Sequence, residues 1–178
     1  TYRLKMIPIN QMKMQKSHSK LEVSHKPNIF FGTYEQRLID WKNIRSIINE
    51  EQNPLEILSK IYFYCPRTKT KTDEYKTDTW LEPWQLLERN DYNEFDLSLL
   101  LCYTIMITEH FIDKVIVIHN CISKESESNN RKFSYIIEFN NQFLNVNDMV
   151  IMTKEQFDKR YVLHYTHNIK NKINIDLI

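Results

Sequence analysis

The spacing of apolar residues changes twice along the chain and divides it into three regions. Residues 1–28 show little sustained periodicity: Lys5, Lys13, Lys16, Lys20 and Lys26 are interleaved with Met, Gln, Ser and His, and Pro8 and Pro27 interrupt any regular element. This stretch is expected to be an extended N-terminal arm, either a disordered terminus or a segment that orders on a neighbouring subunit. Its Met6, Ile7, Ile9, Met12 and Met14 are side chains that a purely solvated tail does not need.

From Thr33 the apolar positions fall at helical spacing. Thr33 can cap a helix with Gln36 three residues on, and Leu38, Trp41, Ile44, Ile47 and Ile48 form its buried face to about Glu50. Asn53-Pro54 predicts a second helix carrying Leu55, Ile57, Leu58, Ile61 and Tyr62, closed near Pro66. Residues 67–79 read as a solvated polar loop rich in Thr and Lys. Pro83 opens a short helix with Trp84, Leu86 and Leu87. After a turn at Asn90-Asp91, residues 95–109 form a helix that is apolar on nearly every side, and such a helix belongs at the centre of a domain.

The third region is dominated by period-two, β-branched runs. Strands are predicted at 114–119, 131–139, 142–146, 149–152 and 161–167, with a hairpin around Asn140-Asn141. Thr153 with Gln156 starts a short helix over 153–160. Helices first and an antiparallel sheet second give an α+β class, with residues 29–178 as one domain behind the arm.

Composition narrows the function more by exclusion than by suggestion. A chain of 178 residues, 42% hydrophobic, closes one core. The 24 basic and 23 acidic residues give a net charge of +1 and no overall field to draw in nucleic acid or a membrane. The three cysteines, Cys65, Cys102 and Cys121, have neither disulfide-framework nor zinc spacing. The longest apolar run, Leu97 to Ile107, is too short to span a bilayer, and the N-terminus is too polar for a signal peptide. The chain therefore reads as soluble and cytoplasmic at synthesis. Only one glycine, Gly32, is present, so glycine-rich phosphate loops are excluded and turns must rely on Asn, Asp and Pro. Abundant Asn, Ile and Lys are what an AT-rich genome encodes, as in many phages, other large DNA viruses and some protists.

The segments EPWQLLERNDYNEFDLSLLLCYTIM, KVIVIHN and FSYIIEFNNQFLNVND resemble, in element order and apolar pattern, the core of the transglutaminase-like and related papain-like cysteine hydrolases over roughly residues 80–148. In that family a glycine-aspartate-cysteine-acid-aspartate loop opens a buried central helix, and the following strands carry histidine and aspartate. The resemblance implies a transglutaminase-like fold. It places Tyr92 and Asn93 at the glycine and aspartate, Glu94 at the cysteine, Phe95 at the next acid and Asp96 at the final aspartate. Ser134 falls at the histidine and Asn147 at the aspartate, with Asp148 reached by a one-residue slip. A carboxylate facing a hydroxyl supplies neither a thiolate nucleophile nor an imidazole base, so the resemblance implies a catalytically inactive domain. Asp96 also reads as the third residue of its helix, closing a capping box with Asn93.

Other constellations carry less. Cys102, in mid-helix, and Cys65 read as packing residues. His119 and Cys121 flank Asn120 at a strand end and should share a face; they are the surviving candidates for a cysteine hydrolase, though no orienting carboxylate is placed by the sequence. His164 and His167 are expected on opposite faces of a strand, which argues against a shared metal. Glu94 and Asp96 are read as helix-start carboxylates ahead of any acid–base or metal role. Lys69 to Thr72 with Tyr64 and Tyr75 would suit a phosphate backbone, but Asp73, Glu74 and Asp78 dilute the charge. Trp80 and Trp84 read as core anchors or interface aromatics.

These features lead to a non-catalytic structural or adaptor component of a large assembly, foremost a phage virion protein of the neck, tail, baseplate or capsid, assembled in the host cytoplasm. It would bind other protein subunits, with Lys13, Lys16, Lys20, Trp80 and Trp84 as interaction candidates, and use no cofactor, metal or small-molecule substrate. The alternatives are an active cysteine hydrolase using Cys121 and His119, and a nucleic-acid-binding accessory protein.

Overall fold

Side-chain caps start the helices in the computed structural model, which describes residues 29–48, 53–126 and 132–169. The arm, with Lys13, Lys16 and Lys20, lies outside the described residues. Helix α1 (Tyr34–Ile47) begins where the Thr33 hydroxyl accepts from the Gln36 amide at 3.3 Å. Helix α2 (Pro54–Tyr62) begins on Asn53 with proline at its first position. At the start of α3 (Pro83–Arg89) the Gln85 side chain reaches back to the Glu82 amide at 2.9 Å. Helix α4 (Glu94–Met106) starts on Asn93, and α5 (Lys154–Arg160) on a Thr153/Gln156 capping box.

Some expected boundaries move. Helix α1 ends at Ile47, because Ile48 is already extended, rather than running towards Glu50. The central helix stops at Met106 instead of 109: Thr108 turns its hydroxyl onto the Thr104 carbonyl at 2.7 Å, and a separate 3-10 turn follows over Glu109–Phe111.

Strands β1 (Ile116–Ser123), β2 (Phe133–Phe139), β3 (Gln142–Asn145), β4 (Val150–Thr153) and β5 (Tyr161–Asn168) form one antiparallel sheet in the order β4-β3-β2-β1-β5. The chain is therefore α+β, as its pattern predicts. Strand β1 is longer than the expected 114–119 because it is laddered on both sides, so His119 and Cys121 lie within a strand and not at its end. Asn140 and Asn141 turn the β2–β3 hairpin with φ of 50° and 60°, the left-handed pair a two-residue turn demands, here met without glycine.

Each face of the sheet has its own cover. Helix α4 is buried along almost its whole length and packs on β1 and β2, with α1 and α3 against it. The Thr104 hydroxyl ties three helices: it donates to the Leu100 carbonyl at 2.7 Å and receives Trp41 Nε1 of α1 and Tyr62 Oη of α2, both at 2.8 Å. Because its only proton goes to Leu100, Tyr62 must be the donor in that bond. The Arg37 guanidinium donates to the Leu87 and Glu88 carbonyls at 2.8 and 3.1 Å, closing the C-terminal end of α3. On the opposite face, Cys121, Ile136, Phe143, Met152 and Phe157 form a smaller cluster under α5.

Helix α5 links the two outermost strands. Seven residues of helix reach only about 10 Å, whereas five flat strands would be about 19 Å across. The sheet must therefore curl around the smaller cluster, and the bond from Asn145 Nδ2 on β3 to Tyr161 Oη at the start of β5, 2.8 Å, crosses that inner face. No helix among the described residues is long and apolar enough to cross a membrane.

Candidate functional site at the start of the central helix

The N-terminus of α4 is the position to which the sequence assigns chemistry, and it is closed by residues from five segments. Asn93 Oδ1 accepts the Asp96 amide at 2.8 Å, and Asn93 Nδ2 donates to the Thr70 carbonyl and to Thr72 Oγ1, both at 2.9 Å. Only half of the expected capping box forms. The Asp96 side chain, fully buried, instead takes the Thr72 hydroxyl at 2.7 Å and the Arg89 guanidinium. A buried carboxylate needs such partners, and a cation one helix away serves it better than a single amide.

The segment 67–79 is an exposed polar loop, as its composition predicts, apart from the buried Glu74. It runs as a strap across the helix start: the Tyr92 amide donates to the Pro66 carbonyl at 3.1 Å, and the Thr68 amide to the Tyr92 carbonyl at 2.9 Å. From this strap Glu74 turns inward and is buried. Its Oε1 accepts Asn120 Nδ2 of β1 at 2.8 Å, its Oε2 meets His167 Nε2 of β5 at 3.2 Å, and its backbone carbonyl accepts Trp80 Nε1 at 3.2 Å. Tyr135 of β2 also acts on this carboxylate. Burial alone would raise the Glu74 pKa, but the bond and charge of His167, the action of Tyr135 and the hydrogen bond of Asn120 outweigh it and hold the carboxyl below the usual glutamate value. The His167 ring is enclosed by Trp80, Phe95 and Tyr165 at centroid distances of 5.4, 5.3 and 4.6 Å.

Glu94 lies at the first position of α4, where burial raises its pKa against the opposing charges of Arg67 and Lys132. Its charge, after burial, helps to raise the pKa of Tyr135 of β2. Ser134 pairs with Cys121 in the ladder and shares the α5 side of the sheet with Ile136, whereas Tyr135 packs on Phe95 beneath α4 at 5.5 Å. The two positions that the resemblance assigns to nucleophile and histidine are thus on opposite sides of the sheet, because one residue of register exchanges the faces of a strand. Asn147 and Asp148 are exposed in the β3–β4 turn, where the Asn147 amide donates to Asn145 Oδ1 at 2.9 Å.

His119 and Cys121 do share a face, as alternation requires, on the α5 side of β1. Both His119 nitrogens are engaged, Nδ1 with Thr166 Oγ1 at 2.9 Å and Nε2 with Glu138 Oε2 at 2.7 Å, and the ring stacks on Phe143. Cys121 is fully buried and its thiol is pushed up to about 12, so it carries almost no thiolate near neutral pH. Cys65 is likewise pushed up to about 11, and Cys102 lies buried in the middle of α4; all three are free thiols.

His164 rests on Phe133 at 5.5 Å, away from the His167–Glu74 pair, and no cluster able to hold a metal is present among the described residues. Trp80 is buried, whereas Trp84 is 40% exposed, so only the second remains available to a partner. Lys69, Lys71, Tyr64 and Tyr75 lie on the exposed side of the strap. What sequence reasoning missed is the convergence of Glu74, Asn120, Tyr135 and His167. Glu74 is 46 residues from Asn120 and 93 from His167, and nothing in a run of Thr, Lys and Asp marks one acidic residue as the buried one.

A carboxylate–imidazole pair sealed by a phenol and an amide can share a proton and fix the strap on the sheet; it contains no sulfur nucleophile. No family model, curated protein or solved structure matches this chain.

Proposed function

We propose that the chain is a non-catalytic structural or adaptor subunit of a macromolecular assembly, in its most specific form a virion protein of a tailed phage. In this reading the domain has a transglutaminase-like core whose cysteine position is Glu94 and whose histidine position, by the face it occupies, is Tyr135 instead of Ser134. The observation that carries the reading is the β5 margin. Strand β5 ends the sheet order, no described strand pairs with its outer edge, and its eight residues include no Lys, Arg, Asp, Glu or Pro. Edge strands of proteins that stay apart are usually blunted by such residues.

Apolar side chains cluster along the same margin. Val162, Leu163 and Tyr165 of β5, with Tyr75 of the strap and Phe133 of β2, are each between 44% and 54% exposed. Tyr75 lies against Tyr165 at 5.4 Å, so the strap and the edge strand form a continuous surface. A patch of this kind beside an open backbone edge suits a protein partner that adds a strand and covers the rings.

The test is to isolate the chain from its native source and follow hydrogen exchange. The reading expects it in a high-mass complex, with β5 amides protected there and exchanging in the isolated protein, and no labelling by a thiol-directed activity probe. A free monomer that hydrolyses amides or transfers acyl groups through Cys121 would overturn it.

A further inference from the structure

We infer that Thr166 is a nucleophile activated by His119 and Glu138, able to accept an acyl group from an activated carboxylic ester. The inference goes beyond the assembly reading and does not depend on it.

The sequence pairs His119 with Cys121, but the buried Cys121 thiol keeps its proton, and the hydroxyl that faces the imidazole is that of Thr166, 2.9 Å from Nδ1. The other nitrogen, Nε2, meets Glu138 Oε2 at 2.7 Å. Adjacent strands supply these groups: Glu138 from β2, His119 from β1 and Thr166 from β5. Their hydrogen bonds fix the direction in which a proton moves. A carboxylate only accepts, so in the neutral ring the proton sits on Nε2 and is donated to Glu138. Nδ1 then carries a lone pair, and the Thr166 hydroxyl must donate into it. A general base needs this arrangement before a hydroxyl attacks, with a carboxylate to hold the ring in one tautomer and to offset its charge once it is protonated.

A bulge puts the hydroxyl there. Cys121 opposes Leu163, and an unbroken ladder would set Tyr165 opposite His119. Asn120 instead opposes Tyr165, which leaves His164 as an extra residue and brings Thr166 opposite His119. His119 is buried, its ring stacked on Phe143 of β3 and packed against Phe157 of α5. Besides Glu138, the charged group of this layer is Lys154, whose amino group lies over the same two rings and pairs with Asp158 at 2.7 Å. Thr166 itself is exposed at the margin of the sheet, within reach of a reagent. No described strand pairs with the outer side of β5, so a backbone N–H beside that hydroxyl, its own or those of its neighbours, points outward, where it can donate to a developing oxyanion.

In the acylation step the Thr166 oxygen bonds to the ester carbonyl carbon as its proton passes to His119 Nδ1. The bond from that carbon to the leaving alkoxide then breaks, and the alkoxide takes the proton back from His119. The products are acyl-Thr166 and a free alcohol, with the imidazole neutral again. Thr166 and His119 touch the reacting atoms, and Glu138 positions the ring.

The test treats the isolated full chain with p-nitrophenyl acetate, follows release of p-nitrophenolate and locates the acetylated residue by peptide mass. Thr166 is expected to be acetylated about 100-fold or more faster than other exposed hydroxyls such as Thr77. Thr166→Ala should lose the burst, whereas Thr166→Ser and Cys121→Ala should retain it. Because His119 is buried, its role is read on wild type: the rate should rise with pH in step with loss of the ring proton, followed by NMR of His119. Glu138→Gln keeps an acceptor without its charge. It should slow acetylation about tenfold or more and move the profile to lower pH, because a ring without its carboxylate loses its proton more readily. Acetylation confined to lysines or cysteines, a burst that survives Thr166→Ala, or a rate indifferent to the His119 titration would each overturn the inference. An unchanged profile in Glu138→Gln would overturn the part given to Glu138. Continuous turnover of the ester through Thr166 would uphold the inference and remove the non-catalytic reading, whereas absence of the chain from any high-mass complex would count against the assembly reading alone.

Discussion

Glu74 and Glu94 both act on Tyr135, but their own surroundings pull their protonation in opposite directions, and stability against pH should show both signs. The folded value of Glu74 is below the ordinary 4.5, so its contribution is in place above that pH and is lost as pH falls through the lower folded value. The folded value of Glu94 is above 4.5, so its contribution is present below that pH and is lost as pH rises through the higher folded value. Urea midpoints between about pH 3 and 7 should therefore fall less steeply into acid for Glu74→Gln than for wild type, while Glu94→Gln should be as stable as wild type or more so at neutral pH. Glu74→Ala leaves His167 and Asn120 without their buried partner and should cost about 2–3 kcal/mol. Glu94→Ala should cost about 1 kcal/mol or less and leave assembly intact; amidase or acyl-transfer activity that vanished with it would refute the non-catalytic reading. At this scale the caps Thr33, Asn93 and Thr153 were legible, because capping is a matter of three neighbouring residues. The Glu74 hub was not, because its partners meet only through the tertiary fold.

Elements differ in how much of their stability depends on burial, and two substitutions measure the contrast. Leu100 in α4 is fully buried, so Leu100→Ala should cost about 2–5 kcal/mol, depending on how far the cavity collapses. Trp84 on α3 is 40% exposed, and Trp84→Ala should change the midpoint by no more than about 0.5 kcal/mol. A larger loss at Trp84 would mean that it anchors the core as Trp80 does. The type and order of the elements could be read from periodicity, and the hairpin from Asn140-Asn141. Two features could not. The extension of β1 to Ser123 depends on ladders from β2 and β5, and the bulge at His164 exists only relative to β1.

For the whole molecule, residues 1–28, which lie outside the described residues, are expected to be an arm. Deleting residues 1–28 should leave the thermal midpoint of the domain within a few degrees of wild type and abolish incorporation into its assembly. Ordering such an arm costs about 1–2 kcal/mol per residue, so it would stay bound only where contacts are many. An arm fully protected from hydrogen exchange in the isolated protein, by packing on its own domain, would count against that role. On the assembly reading the arm and the β5 margin are separate requirements, and removing either should block assembly without unfolding the domain.

The sequence by itself determined the helices, their caps, the antiparallel strands and the buried central helix, because each depends on spacing within a dozen residues and on which side chains water rejects. It also determined that glycine-rich phosphate loops are absent. Only the tertiary structure decided which polar residues are buried together and which faces remain open. The strap carries Glu74 inward because Asn120, Tyr135 and His167, from three different strands, converge on one carboxylate. Ser134 lies away from Glu94 because a single residue of register reverses a strand's faces. Among the described residues no strand pairs with the outer edge of β5, because of its place at the end of the sheet order, a property of how strands are arranged that no local run of residues encodes.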